Sequence, residues 1–251
     1  MMNEPISVTG ERGPARHRLL WRTVARGALL LIYANLADLL VVGGGFDRAL
    51  YDLAALVLLI VLGGWFILCR RHELPGLGVQ RRGLVNSALW GVLLGLGLAT
   101  GPLLFFVFPF LLADPVRYPA ITGMSQARLW WELLVRVPIV TVLLQEFLFR
   151  GLLQRDFTRA LGLWRGILST NLIFCGWHLV IAWDAVSQQS VALPLLPPGA
   201  CYLLGYVGAL LVVLLGGTLL SLLRWRTDNL AGPIAAHWLV VALMTVMLYA
   251  L

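Results

Sequence analysis

The chain is a succession of long apolar runs separated by short polar stretches. Seven runs stand out, at about 27–46, 53–69, 84–113, 133–154, 164–183, 202–223 and 234–251. A helix needs about 20 predominantly apolar residues to cross roughly 30 Å of hydrocarbon, and these runs come close to that length. The third holds Gly101-Pro102, where a helix can kink or a second short segment can begin. The pattern predicts an all-α fold, a polytopic membrane helix bundle of about seven or eight transmembrane helices.

Composition agrees. With 60% apolar and 12% charged residues and a mean hydropathy of +0.86, the 251 residues carry more hydrophobic surface than a soluble domain of this length can bury. The lipid bilayer is the expected partner for the rest. A net charge of +7 would suit a nucleic-acid binder, but the arginines stand at the ends of apolar runs rather than on one face of a soluble helix. They read as topology signals, and no nucleic-acid partner is expected. Arg12 to Arg26 precede the first run; Arg70, Arg71, Arg81 and Arg82 follow the second; Arg155, Arg159 and Arg165 mark the fourth-to-fifth junction; Arg224 and Arg226 follow the sixth. The intervening loops hold only Arg48, Arg117 and Arg128. This alternation predicts a cytoplasmic N-terminus, and an integral protein of a bacterial inner (plasma) membrane is expected.

Residues 1–26 are expected to form a cytoplasmic tail and the start of the first helix, 27–129 the N-terminal transmembrane helices, and 130–251 the helices that carry the chemistry. Cys69, Cys175 and Cys201 are odd in number and lack metal-type spacing, so no disulfide framework is expected. Gly91/Gly95 and Gly97/Gly101, with Gly205, Gly208, Gly216 and Gly217 in the sixth run, suggest close helix packing. Asn35 and Asp38 interrupt the first run and are expected to hydrogen-bond a neighbouring helix.

Titratable groups inside a membrane are expensive unless paired, so those of the second half call for an explanation. They are Glu132, Arg136, Glu146, Arg150, His178 and His237. Glu132/Arg136 and Glu146/Arg150 each stand four apart, acid first, which predicts two intrahelical ion pairs. A hairpin turning near Gly162 would bring Glu146 and His178, each 16 residues from the turn, to one height. His237 lies nine residues past Asp228, about 13 Å along its helix, at a similar depth. An acid and two imidazoles so placed can hydrolyse a bond by either of two routes. The acid can act as general base on a water held by the imidazoles, or Glu146, His178 and His237 can bind a divalent metal such as zinc. The structural alternative is that the ion pair neutralises itself and each histidine merely bonds a neighbouring helix.

Three segments resemble the motifs of CAAX-type intramembrane endopeptidases, the CPBP or Abi family. Gln145-Glu146-Phe147-Leu148-Phe149-Arg150 is similar to its Glu-Glu-x-x-x-Arg motif, Phe174-x-x-x-His178 to its second, and His237, approached through Asp228-Asn229-Leu230, to the histidine of its third. The resemblance covers about residues 130–251. It implies a multi-helix fold with a cytosol-facing chamber in which Glu146, His178 and His237 act on water, Arg150 orients Glu146, and Gln145 is a polar chamber residue. The implied substrate is a membrane-associated protein or peptide. Two positions depart from the pattern: Gln145 replaces the first glutamate, and Val241 the asparagine four residues after the third-motif histidine. An amide cannot take a proton from water at neutral pH. The alternative is therefore a non-catalytic relative serving as a membrane binding, immunity or scaffold protein. A transporter, suggested by Asp38 and Glu132, would be expected to show an inverted half-repeat, and none is visible.

Overall fold

The computed structural model describes residues 13–45, 47–107, 118–188 and 197–250. Helix α1 is Pro14–Val42, α2 is Arg48–Cys69 and α3 is Leu84–Val107. Helix α4 runs without interruption over 126–161 and is composite: Glu132–Leu143 and Phe147–Leu153 are wound with π pitch, the remainder with α pitch. Then come α5 (Leu163–Trp177), α6 (Leu179–Ser187), α7 (Pro198–Thr227) and α8 (Ala231–Ala250). Five of these, α1, α2, α3, α7 and α8, are long and apolar enough to cross a membrane, and the bent pair α5–α6 makes a sixth such unit. Their outward faces carry exposed Leu, Ile, Val and Trp, among them Ile32, Ile60, Val85 and Leu215, as a lipid-facing surface requires.

The helices differ from the apolar runs where polar residues join them. Helix α1 begins at Pro14, whose fixed φ suits a first turn, and so takes in arginines expected to precede it. Two of them anchor it: Arg16 donates to the Ala160 carbonyl, and Arg26 pairs with Asp156 at 2.8 Å. Helix α3 passes Gly101-Pro102 unbroken as far as Val107, so one helix replaces the suspected break there. The rest of that run, 108–113, lies outside the described residues, as do residues 1–12 of the tail.

Small residues join α3 to α8. A side chain at Gly91 would collide with the Gly232 backbone, and one at Gly95 would crowd Ala236. The Gly232 amide in turn donates to Ser87 Oγ at 2.9 Å. Without a hydrophobic force between helices in lipid, such close backbone approach supplies the attraction. The expectation is not met at Gly97, Gly101, Gly208 and Gly216, around which an added Cβ would meet no atom of the described residues within 4 Å. A glycine spacing alone does not say which side of a helix faces a partner.

The bundle has two distinct polar ends. At one, Arg155 bridges to Glu73 (2.9 Å), Arg224 to Asp228 (2.7 Å), and Arg70 to Glu73. At the other, Arg136 joins Glu132 (2.8 Å) and Asp52 (2.7 Å), Arg128 joins Glu132 (3.0 Å), and the Tyr118 hydroxyl donates to Asp184 (3.1 Å).

Candidate active site

Gly162, at φ +85°, ends α4 and starts α5, a conformation that suits glycine. The resulting hairpin aligns Phe149 with Phe174 (ring centroids 5.0 Å) and with Trp177 (5.5 Å). That register brings Arg150 against Asn171, and Glu146 to the level of His178.

Glu146 and Arg150 are 0% and 1% exposed. Glu146 Oε1 accepts from Arg150 at 3.1 Å, so the predicted intrahelical pair is present. A buried guanidinium needs further acceptors. Arg150 also donates to Asn171 Oδ1 (3.3 Å) and to the Gly217 carbonyl (3.1 Å), and it lies 4.1 Å from the centre of the Phe174 ring. Asn171 donates in turn to Ser221 Oγ (3.0 Å), and Gln154 to the Ser221 carbonyl (2.9 Å). This buried network ties α4, α5 and α7 together. Asn171, Ser221 and Gln154 were not singled out from sequence, because a neutral polar residue in an apolar run gives no sign of what it will meet.

His237 comes from the third helix of the site. Asp228 takes a left-handed turn (φ 50°) that ends α7, and Asn229 accepts from Ala231 N (2.9 Å) while donating to the carbonyls of Gln80 (2.8 Å) and Arg82 (3.1 Å). The Asp228-Asn229-Leu230 stretch is thus an anchored turn that launches α8. Trp238 Nε1 donates to the Leu133 carbonyl on α4 at 2.8 Å, which sets the rotation of α8. His237 Nδ1 then lies 2.7 Å from Glu146 Oε1.

His178 occupies the break between α5 and α6, where the axis bends by 47°. A break leaves backbone groups unpaired inside the membrane. Asn35 compensates, donating to the Gly176 carbonyl (2.9 Å) and accepting from Val180 N (3.3 Å), so its predicted role as an interhelical hydrogen-bonder holds. His178 Nδ1 lies 2.8 Å from the Phe174 carbonyl, and both imidazoles pack edge to face with Phe174, at 4.7 Å and 6.1 Å.

These hydrogen bonds decide tautomers. A carbonyl only accepts, so His178 Nδ1 carries its proton; an ionised carboxylate only accepts, so His237 Nδ1 carries its own. In its neutral form each imidazole would keep a lone pair on Nε2.

A cavity of about 590 Å³ lies over this centre. Gln145, Trp177, His178 and His237 line it, and Val241 and Thr245 continue its wall along α8. Glu146 does not line it, standing behind His237. Asp38 and the Glu132/Arg136 pair also line it, with Arg48 and Tyr51. The chamber reaches the polar end formed by Arg136, Glu132 and Tyr118, not the arginine-rich end.

Glu146, His178 and His237 do not form a converged set of metal ligands in this arrangement. Among the described residues no group of three or more His, Cys, Asp or Glu side chains converges on one point. Glu146 Oε1 faces the Arg150 guanidinium and His237 Nδ1, and Oε2 is buried without a hydrogen-bond partner among the described residues.

Residues 127–243 match the family model of the type II CAAX prenyl endopeptidases, Rce1-like. No curated protein and no solved structure matches the chain significantly. The match begins at the start of α4 and ends inside α8, and so takes in every helix that contributes Glu146, Arg150, His178 or His237. Over these residues the chain is similar to the Rce1-like CAAX endopeptidases.

Proposed function

We propose that the protein is an intramembrane endopeptidase, hydrolysing a peptide bond in a membrane-associated protein or peptide, with an imidazole rather than a carboxylate as the base that meets water. The observation that carries this reading is the 2.7 Å contact that directs His237 Nδ1 to Glu146, beside a chamber lined by His178 and Gln145. Glu146 is then a positioning residue. It holds the Nδ1–H tautomer of His237 and offsets the imidazolium formed when His237 accepts a proton, the division of labour seen in triads built on histidine and an acid. Arg150 and its network hold the carboxylate in place.

In the reaction, water in the chamber gives a proton to His237 Nε2 as its oxygen bonds to the scissile carbonyl carbon. The Gln145 amide N–H supplies a donor for the oxygen that becomes negative. His237 then returns the proton to the departing amine nitrogen as the C–N bond breaks. His178, its Nδ1–H given to Phe174, accepts a hydrogen bond at Nε2 and orients the water. Residence in a bacterial inner membrane with the N-terminus cytoplasmic belongs to the same reading.

The test compares new N-termini in membranes containing the wild type, His237→Ala or His178→Ala. Termini that appear with the wild type and vanish with both variants support the reading; identical sets would end it. A second reading, a non-catalytic binding or scaffold relative, is favoured by the amide of Gln145 where the family motif has a carboxylate. Cleavage that appears only on Gln145→Glu would support that reading.

A further inference from the structure

The 47° bend between α5 and α6 has His178 at its apex, so whatever makes the bend places the imidazole. Sharp bends in helices come from proline, from Gly/Ser pairs, from π turns, or from a side chain or water inserted into the backbone ladder. Between Leu163 and Ser187 there is no proline, no Gly/Ser pair and no π turn. Insertion is the cause that the contacts support. The Gly176 carbonyl and the Val180 N–H stand four residues apart, and such a pair bonds directly in an unbroken α-helix. Here both bond Asn35 of α1: its Nδ2 donates to the Gly176 carbonyl at 2.9 Å, and its Oδ1 accepts from Val180 N at 3.3 Å. His178 is the central residue of the stretch from Gly176 to Val180 that this amide spans.

Helix α1 is shaped to deliver that amide. Gly27, Leu31 and Asn35 recur every four residues and so share one face of α1. A Cβ added at Gly27 would sit 2.6 Å from Ile173 Cδ1, and one at Gly176 would sit 2.9 Å from Leu31 Cδ2, so each glycine admits the other helix. Asn35 Nδ2 also donates to the Leu31 carbonyl at 2.9 Å, and Tyr33 packs on Trp177 with ring centroids 6.1 Å apart. From an amide that takes the place of the bond spanning His178, we infer that Asn35 is a positioning residue: inserted between Gly176 and Val180, it holds open the turn that presents His178 to the chamber. Helix α1 lies outside residues 127–243, so the similarity to the CAAX endopeptidases assigns it no such role. An apolar side chain at position 35 lets Val180 bond Gly176 again. Residue 178 then takes helical angles in place of φ −98° and ψ 9°, and its imidazole leaves its station beside His237. The effect on cleavage rests on the endopeptidase reading; the origin of the bend does not.

The experiment uses the full chain in lipid bilayers, with tryptophan labelled at the carbonyl carbon and histidine labelled throughout with NMR-active isotopes. Of the four histidines only His178 follows a tryptophan, so the Trp177–His178 peptide bond selects its signals. In the wild type the His178 Cα and carbonyl shifts should lie outside the helical range; in Asn35→Leu they should move downfield into it. Helical shifts in the wild type, or wild-type shifts in a folded Asn35→Leu, overturn the inference. Should Asn35→Leu fail to accumulate, Asn35→Val, smaller and equally unable to pair, gives the same reading. The second readout is cleavage at the N-termini that depend on the wild type. Displacing a group that orients the attacking water should lower turnover on the order of 10²-fold, with KM little changed. Arg26→Gln, which breaks the Arg26–Asp156 pair on the same helix, controls for a merely loosened α1 and should leave turnover close to that of the wild type. Unchanged turnover in Asn35→Leu, or an equal loss in Arg26→Gln, overturns the positioning role. A wild type that yields no new N-termini ends the endopeptidase reading instead, and the His178 signals alone then decide the origin of the bend.

Discussion

His237 Nδ1 and Glu146 Oε1, 91 residues apart in sequence, approach to 2.7 Å at a point where the carboxylate has no exposure at all. The same oxygen accepts from Arg150, so one atom joins the intrahelical pair of α4 to the imidazole of α8. Because a carboxylate and an amide share a shape but not a charge, the contact can be weakened without removing it.

Glu146→Gln keeps an acceptor for Arg150 and His237 but removes the charge that favours imidazolium. Turnover should fall on the order of 10²–10⁴-fold, by analogy with loss of the acid behind a catalytic histidine, with KM little changed. Steady-state cleavage of a substrate found by comparing N-termini checks this, and an unaltered kcat would remove Glu146 from the positioning role.

Arg150→Met leaves the Glu146 carboxylate buried without its cation. Breaking one partner of a buried pair costs about 3–5 kcal/mol, so the variant should unfold at a clearly lower temperature in detergent than the wild type. Asn171→Ala removes one acceptor from the same guanidinium and should cost about 1–3 kcal/mol. Thermal unfolding ranks the two, and equal midpoints for Arg150→Met and wild type would contradict the network.

Gly91→Ala and Gly97→Ala are the same substitution on the same helix, six residues apart. A methyl at 91 strikes the Gly232 backbone, whereas one at 97 meets nothing within 4 Å. Overpacking should destabilise Gly91→Ala by about 1–3 kcal/mol. Gly97→Ala should be neutral or slightly stabilising, since alanine exceeds glycine by up to about 1 kcal/mol in helix propensity. Yield and melting temperature of the purified variants test the contrast.

At the arginine-rich end, burial works against ionisation of Glu73, yet hydrogen bonds from Arg70 and Arg155 outweigh it and hold the carboxyl below its usual value. A lowered native pKa means stability that is present above the ordinary carboxylate range and lost as pH falls through the lowered value. With Arg70 about half exposed, the contribution should not exceed about 1 kcal/mol. Glu73→Gln should lower the melting temperature slightly at neutral pH and converge with wild type in acid, in a melting series against pH.

Much of this was legible in the linear chain. Apolar run length predicted the bundle, because lipid forces the backbone of each crossing to satisfy itself as a helix. Spacing of four predicted the Glu146/Arg150 and Glu132/Arg136 pairs, because helix geometry is local. A glycine between two runs, Gly162, gave the hairpin and with it the register of Glu146 against His178. What no local rule could supply was rotation and partnership across helices. Only packing decided that Gly91 meets α8 while Gly97 faces open space, or that Asp52 joins Arg136. Only packing, too, turned Gln145 toward the chamber and set Glu146 behind His237, one residue and about 100° of helix apart. The side on which the chamber opens was beyond sequence for the same reason. It depends on which faces of α4, α6 and α8 stand apart and which are sealed by Arg150, Asn171 and Ser221, and those distances exist only once distant helices have met.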